Sequence, residues 1–186
     1  MTIPQEAGDL LIPLARTAVR RAVGVPTEAD PTIPAWADEP GAAFVTLHLG
    51  GRLRGCIGSL SAYRPLVDDV RGNARAAALD DPRFRPVTPD EIDHVDLEVS
   101  VLSRPEPLTF SSEADLVAQL RPHVDGLLLE APGHRGTYLP QVWEQLPDPA
   151  DFLRSLKTKA RLHQDWWGED VRVSRYTVTA WEERAR

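Results

Sequence analysis

The sequence predicts an α+β fold with a mainly antiparallel sheet, built from hairpins and flanked by helices. Three observations carry this expectation. β-prone runs flank a glycine-containing turn in "AAFVTLHLGGRLRGCIG" and again in "GLLLEAPGHRGTYLP". Amphipathic stretches at helical spacing lie before, between and after them. Helical and hairpin segments are intermixed without regular βαβ spacing, which points to α+β.

The elements follow in order. "DLLIPLARTAVRRAVG" (9–24) repeats apolar residues at Leu10, Leu14, Ala18 and Ala22 and meets Gly24 as a stop. Pro13 must then sit in its first turn, or the helix starts after Asp9. The proline-rich, aperiodic stretch 25–42 reads as an extended surface connection. In the first hairpin, Gly50-Gly51 suits a two-residue turn, so Leu49 faces Arg52, Leu47 faces Arg54 and Val45 faces Cys56. Arg54 and Cys56 then share one face, with Leu53, Gly55, Ile57 and His48 on the other.

"RPLVDDVRGNARAAAL" (64–79) continues as a helix entered at Pro65, and "DDPRFRPV" follows as a non-helical link because of Pro82 and Pro86. "TPDEI" has a capping-box pattern, with Thr88 as cap and Glu91 reaching back to open a short helix. In "VDLEVSVLS", Val95, Leu97, Val99 and Val101 alternate with Asp96, Glu98 and Ser100, so one face is buried and the other is polar or site-lining. "SSEADLVAQLR" is a capped helix. The second hairpin places "APGHRG" at its loop, and "DPADFLRSLKTKA" is a helix capped by Asp148 with Pro149 after it. "VRVSRYTVTAWEE" is strand-like with its phase broken near Ser174 and Arg175, as a bulge would do.

Composition removes several function classes. At 186 residues the chain suits one domain, or one domain with a small appended lobe. No apolar run is long enough to span a membrane and no basic segment precedes an apolar one at the amino terminus, so a cytoplasmic protein is expected. A net charge of −7 argues against a nucleic-acid phosphate backbone as principal ligand. One cysteine forms no internal disulfide and holds neither a multi-cysteine zinc site nor an iron–sulfur cluster within the chain. His94, His123 and His163 lack metal-ligand spacing, and "GLLLEAPGHRG" lacks the ending of a phosphate loop, so neither metal nor cofactor is expected. Arg154, Lys157 and Arg161 read as a solvated helix face, and the five tryptophans as packing residues.

"LRGCIGSL", with "NARAAALDDPRFRPV", "DLEVSVLSRPEPL", "GLLLEAPGHRGTYLPQVWE" and "FLRSLKTKA", resembles the AMMECR domain family, whose bacterial and archaeal members include AmmeMemoRadiSam system protein A. The similarity runs from about Leu10 onward, and the signature residues map to Arg54, Gly55, Cys56, Ile57 and Gly58. The segment Leu162 to Trp167, with its histidine and paired tryptophans, departs from the pattern. The resemblance implies a larger and a smaller lobe around a cleft, and association with a Memo-like protein and a radical-SAM protein. It brings no reaction with it.

Cys56 has two readings: a small packed hydrophobe, or a reactive thiol. For the second, Arg54 on its face favours the thiolate, while Gly55 and Gly58 clear the approach of a ligand. For the first, the glycines mark a bend and Arg54 is the partner of a carboxylate such as Glu98. Glu98 and Ser100 are candidates beside the thiol, Glu98 as general base or as the charge that neutralises Arg54. His134 and Arg135, in the second hairpin loop, and Gln141, in "LPQVW", are candidates for substrate contact. His48, on the opposite face, is disfavoured as partner in a cysteine–histidine dyad. Two functions follow: an enzyme or enzyme subunit of a modification pathway, or a non-catalytic adaptor.

Overall fold

The structure is a computed structural model that describes residues 3–27 and 29–183. Its strands and helices divide into two compact units. The first runs to Leu102 and takes in the chain again from Thr179, and the second is Ser103–Val178.

In the first unit, helix α1 (Gly8–Ala22) is followed by strands β1 (Pro40–Leu49), β2 (Arg52–Gly58) and the two-residue β3 (Arg64–Pro65), helix α2 (Leu66–Leu79) and β4 (Val95–Leu102). The sheet has the order β2-β1-β4-β9, where β9 is Val178–Glu183, and β3 pairs with β1. β1 is antiparallel to β2, β3 and β4. Its inner face presents Ala43, Val45, Leu47, Val95, Leu97, Val99 and Val101 to the buried sides of α1 and α2. The alternation in β4 therefore buries the residues that period two selects.

Helix α1 begins at Gly8, one residue before Asp9, so Pro13 lies in its second turn and not its first. Packing upstream of the proline explains this. A 3-10 turn, Gln5–Ala7, leads in; Gly8 lies against Trp181, and Leu11, Ile12, Leu14 and Ala15 are buried, which outweighs the missing hydrogen bond. The helix ends as expected at Gly24, where Val25 N–H donates to Arg20 O and Gly24 N–H to Arg21 O. The connection after it is anchored. Ala37 is buried, Ile33 and Trp36 pack on the core, Asp30 pairs with Arg21 and Arg71, and the strand already starts at Pro40; Glu28 lies outside the described residues. Inside the unit, the buried Asp69 accepts from Ala43 N–H, Ser59 Oγ, Arg64 Nε and Asn73 Nδ2, joining α2 to the sheet.

The hairpin turn has both glycines at positive φ, Gly50 at 58° and Gly51 at 75°. Leu49 faces Arg52 as the turn predicts, but the register slips by one after His48–Leu53. From there Leu47 pairs with Gly55, Thr46 with Cys56 and Val45 with Ile57. Arg54 is the extra residue of a β-bulge. The expected pairing of Arg54 with Leu47 and of Cys56 with Val45 is thereby corrected.

The second unit holds β5 (Glu106–Pro107), α3 (Glu113–Gln119), β6 (Gly126–Ala131), β7 (His134–Tyr138), α4 (Pro149–Lys159) and β8 (Arg172–Tyr176). Its antiparallel sheet has the order β5-β8-β6-β7. Ser112 and Asp148 cap α3 and α4 as their sequences predict. Trp143 stacks on Phe152 with ring centroids 3.8 Å apart and donates Nε1–H to Asp125 O.

Three expectations are revised here. The final strand is two strands, because Tyr176 closes the pairing of β8 with β6 and the chain then enters the other sheet as β9. The turn of the second hairpin is only Pro132-Gly133, so His134 and Arg135 are strand residues paired with Ala131 and Glu130. Lys157 is buried rather than solvated, its Nζ bonded to Glu113 Oε1 at 2.5 Å and Gln164 O at 3.1 Å.

Candidate functional site

The bulge decides which side chains meet. Because Cys56 lies opposite Thr46, its thiol is on the outer face of the first sheet with Phe44, Thr46 and His48 of β1 and with Asp96, Glu98 and Ser100 of β4. Cys56 is half-buried, and Thr46 Oγ1 donates to its Sγ at 3.4 Å. Thr46 pairs on its other side with Glu98, whose Oε1 accepts from Ser100 Oγ at 2.7 Å. His48, two residues from Thr46, is on the thiol's face after all, a correction that follows from the one-residue slip. Among the described residues the sulfur's hydrogen bond is to Thr46 and not to His48. The face continues into a groove of about 380 Å³ lined by His48, Asp96, Glu98, Glu182 and Glu183 among others.

Arg54 does not accompany the thiol. As the bulged residue it turns to the 85–91 segment, where Nε and Nη2 bind Glu91 at 3.1 and 2.9 Å and Nη1 and Nη2 bind the carbonyls of Arg85 and Pro86. Its carboxylate partner is Glu91, not Glu98. Arg54 holds the Glu91 carboxyl below the usual carboxylate range, with Thr88 N–H assisting against desolvation. Glu91 does reach back to Thr88, but only a 3-10 turn, Ile92–His94, follows.

The cation beside Cys56 is Arg83. The link after α2 folds back on the free edge of β2: Cys56 N–H donates to Asp81 Oδ2 at 2.8 Å, and Arg83 Nη2 donates to Cys56 O at 3.2 Å. Asp81 is buried and grips Arg83 through Nε at 3.0 Å and Nη2 at 2.7 Å. The side-chain bond to Arg83 comes first among the causes that hold the Asp81 carboxyl well below its usual range, against desolvation, with the N–H groups of Cys56 and Arg83 assisting. Arg83 is correspondingly raised, first by Asp81 and to a lesser degree by Cys56. A turn that reads only as a helix stop thus supplies the guanidinium. An aspartate directly before proline with an arginine two residues on was the signal available for it.

Both glycines of the motif have packing reasons. A Cβ on Gly55 would stand 2.1 Å from Ala77 O, since β2 crosses α2 there at backbone distance, and one on Gly58 would stand 2.2 Å from the Phe44 ring. The remaining candidates belong to the second unit. His134 Nδ1 lies 3.0 Å from Ala160 O, Arg135 pairs with Glu130 at 3.5 Å, and Gln141 is exposed on the 3-10 turn Pro140–Glu144. Among the described residues no three His, Cys, Asp or Glu side chains are arranged to hold a metal ion, and no helix is long and apolar enough to cross a membrane.

Comparison with known proteins places this arrangement. A relative from Methanothermobacter thermautotrophicus is 44% identical over 142 residues, covering 75% of this chain and 74% of its own. One from Thermofilum pendens is 38% identical over 179 residues, covering 87% and 82%. A crystal structure of the uncharacterized protein PH0010 from Pyrococcus horikoshii superimposes with a TM-score of 0.84 at 35% identity, covering 99% of this chain and 95% of that one. The sequence model of AMMECR1 matches residues 12–181, which include both sheets up to the last two residues of β9 and the Cys56 motif, and the chain belongs to the AMMECR1 family.

Proposed function

We propose that the outer face of the first sheet around Cys56 is a thiol-based reaction site, and that the protein is an enzyme or enzyme subunit of a modification pathway linked to a Memo-like and a radical-SAM protein. The observation that carries the reading is Arg83, a guanidinium fixed beside Cys56 by a buried carboxylate. The form of sulfur that attacks an electrophile or carries a group is the thiolate, and Arg83, which reaches the Cys56 main chain, is the cation this reading assigns to it. Thr46 donates to the sulfur, and Glu98, which pairs with Thr46 from the next strand, is the carboxylate of this face to which the reading assigns the proton. The partners rest on the family resemblance alone.

The test is the rate of iodoacetamide alkylation at pH 7 for the natural protein, Arg83→Ala and Arg54→Ala, each confirmed folded by circular dichroism. Arg83→Ala should slow the reaction by about tenfold, and Arg54→Ala should leave it unchanged. Equal rates for the natural protein and Arg83→Ala would overturn the proposal. They would favour the adaptor reading, which already has support in the packing roles of Gly55 and Gly58.

A further inference from the structure

The helices that cover the first sheet leave a hollow between them. Leu14, Ala18 and Ala22 follow one another at four-residue steps along α1, and Gly72 answers them from α2. Three of these four carry a methyl group or less, and Ala18, Ala22 and Gly72 are only partly covered. The hollow is a cavity of about 450 Å³ with an apolar floor, within the size range of small-molecule sites. It lies on the helical side of the sheet whose other face carries the Cys56 thiol.

The rim is charged, and unevenly so. Arg21 of α1 and Arg71 and Arg75 of α2 line the cavity together with one carboxylate, Asp30. Asp30 bridges the helices, meeting Arg21 Nη1 at 2.8 Å and Arg71 Nη2 at 2.9 Å. A carboxylate is therefore an anion that this rim already accepts. Arg75 is placed differently. It spends Nη1 on Asp80 at 2.8 Å, in an ion pair whose side chains are both more than half exposed, and its Nε and Nη2 have no partner among the described residues. Such an exposed pair adds little and gives way to a competing anion. A guanidinium offers a carboxylate two parallel donors, and in Arg75 the Nε and Nη2 fork is unused.

We infer that this cavity binds a small carboxylic acid with an apolar body, its carboxylate on Arg75 and its hydrocarbon along Leu14, Ala18, Ala22 and Gly72. Each half of the ligand answers one half of the lining. A purely polar anion leaves the floor wet, and a neutral hydrocarbon leaves the fork unpaired. No bond is made or broken in the complex. The site is independent of the thiol reading, because it uses neither Cys56 nor any residue of its face.

Isothermal titration calorimetry of the full chain with octanoate at pH 7 reads the binding. Octanoate should bind with a dissociation constant below about 1 mM. Acetate, which lacks the body, and octylamine, which reverses the charge, should each bind at least about tenfold more weakly. Arg75→Ala, at an exposed side chain, should weaken octanoate about tenfold, the order expected for a charge-assisted pair. Ala18→Leu fills the floor and keeps every charge, so it should abolish binding in a chain confirmed folded by circular dichroism. Should Ala18→Leu not fold, Arg75→Ala still decides. No detectable binding of octanoate, octylamine binding as tightly, or an unchanged affinity in Arg75→Ala or in folded Ala18→Leu would each overturn the inference. Octyl phosphate binding more than about tenfold tighter than octanoate would overturn the assignment to carboxylic acids.

Discussion

The main-chain N–H of Cys56 donates to the buried carboxylate of Asp81 at 2.8 Å, so the candidate thiol is held from the strand's free edge as well as from within the sheet. Asp81 accepts from Cys56 and from Arg83 and has almost no contact with solvent.

Asp81→Asn removes the charge that this pocket is built around. At pH 7 it should cost about 1–3 kcal/mol, the usual penalty for spoiling a buried charge-assisted hydrogen bond. The carboxyl is depressed on folding, so its contribution is present above the unfolded value of 3.8 and is lost as pH falls toward the folded one. Urea unfolding at several pH values should show the two proteins clearly apart at pH 7 and converging below about pH 4. A gap that persists unchanged into acid would contradict the assignment.

Gly55→Ala sets a methyl group against a main-chain oxygen of α2, which cannot rotate away. The expected loss is about 3 kcal/mol. Gly58→Ala meets only the Phe44 side chain, which is half-buried and can shift, so its loss should be about 1 kcal/mol. Chemical unfolding of the two variants side by side decides the order, and a reversed order would refute the account of the motif's glycines.

Glu113→Ala and Lys157→Met test the buried ammonium from its two ends. Removing Glu113 strands a charge that is 1% exposed and should cost about 3–5 kcal/mol. Lys157→Met removes the charge itself and leaves Glu113 in contact with water, for a cost of about 1 kcal/mol. Tryptophan fluorescence during unfolding, reporting on Trp143, Trp166 and Trp167, would measure both.

Burial pushes the Tyr176 phenol up to about 12, with its hydroxyl donating to Tyr138 O at 3.0 Å and lying 2.8 Å from Thr137 Oγ1. A group raised on folding contributes stability that is complete below its unfolded value, about 10 for tyrosine, and disappears as pH passes the folded one. The natural protein should therefore lose stability between about pH 10 and 12 through this residue, and Tyr176→Phe should flatten that decline. Parallel alkaline slopes would show that the phenol is not the cause.

What could be read in advance depended on how far its cause lay along the chain. The caps at Ser112 and Asp148 and the stop at Gly24 act within a few residues, and the structure has them where the sequence puts them. The alternation in β4 was legible for the same reason. The face of Cys56 was not, because it depends on where the strand gains an extra residue, and a run such as "RLRGC" offers two arginines with equal claim to either side. Lys157 was misjudged because helical spacing with Arg154 and Arg161 ignores Glu113 and Trp167, which approach from other segments.

The chain between Thr46 and Cys56 also behaves as a counted length. The glycine turn fixes one end of the hairpin and the Thr46–Cys56 pair fixes the other, with Arg54 as the single residue of slack. Loss of Arg54 would let the ladder close evenly with Cys56 still opposite Thr46 and its thiol still outward, whereas one residue more, unless taken up in a further bulge, would turn the thiol inward toward α2 and bring a neighbour out in its place. Substitutions there change what the face carries; an added residue changes which residues form it. A laboratory or lineage remodelling this protein can therefore shorten the segment by its slack residue but cannot lengthen it without exchanging the residues the face carries.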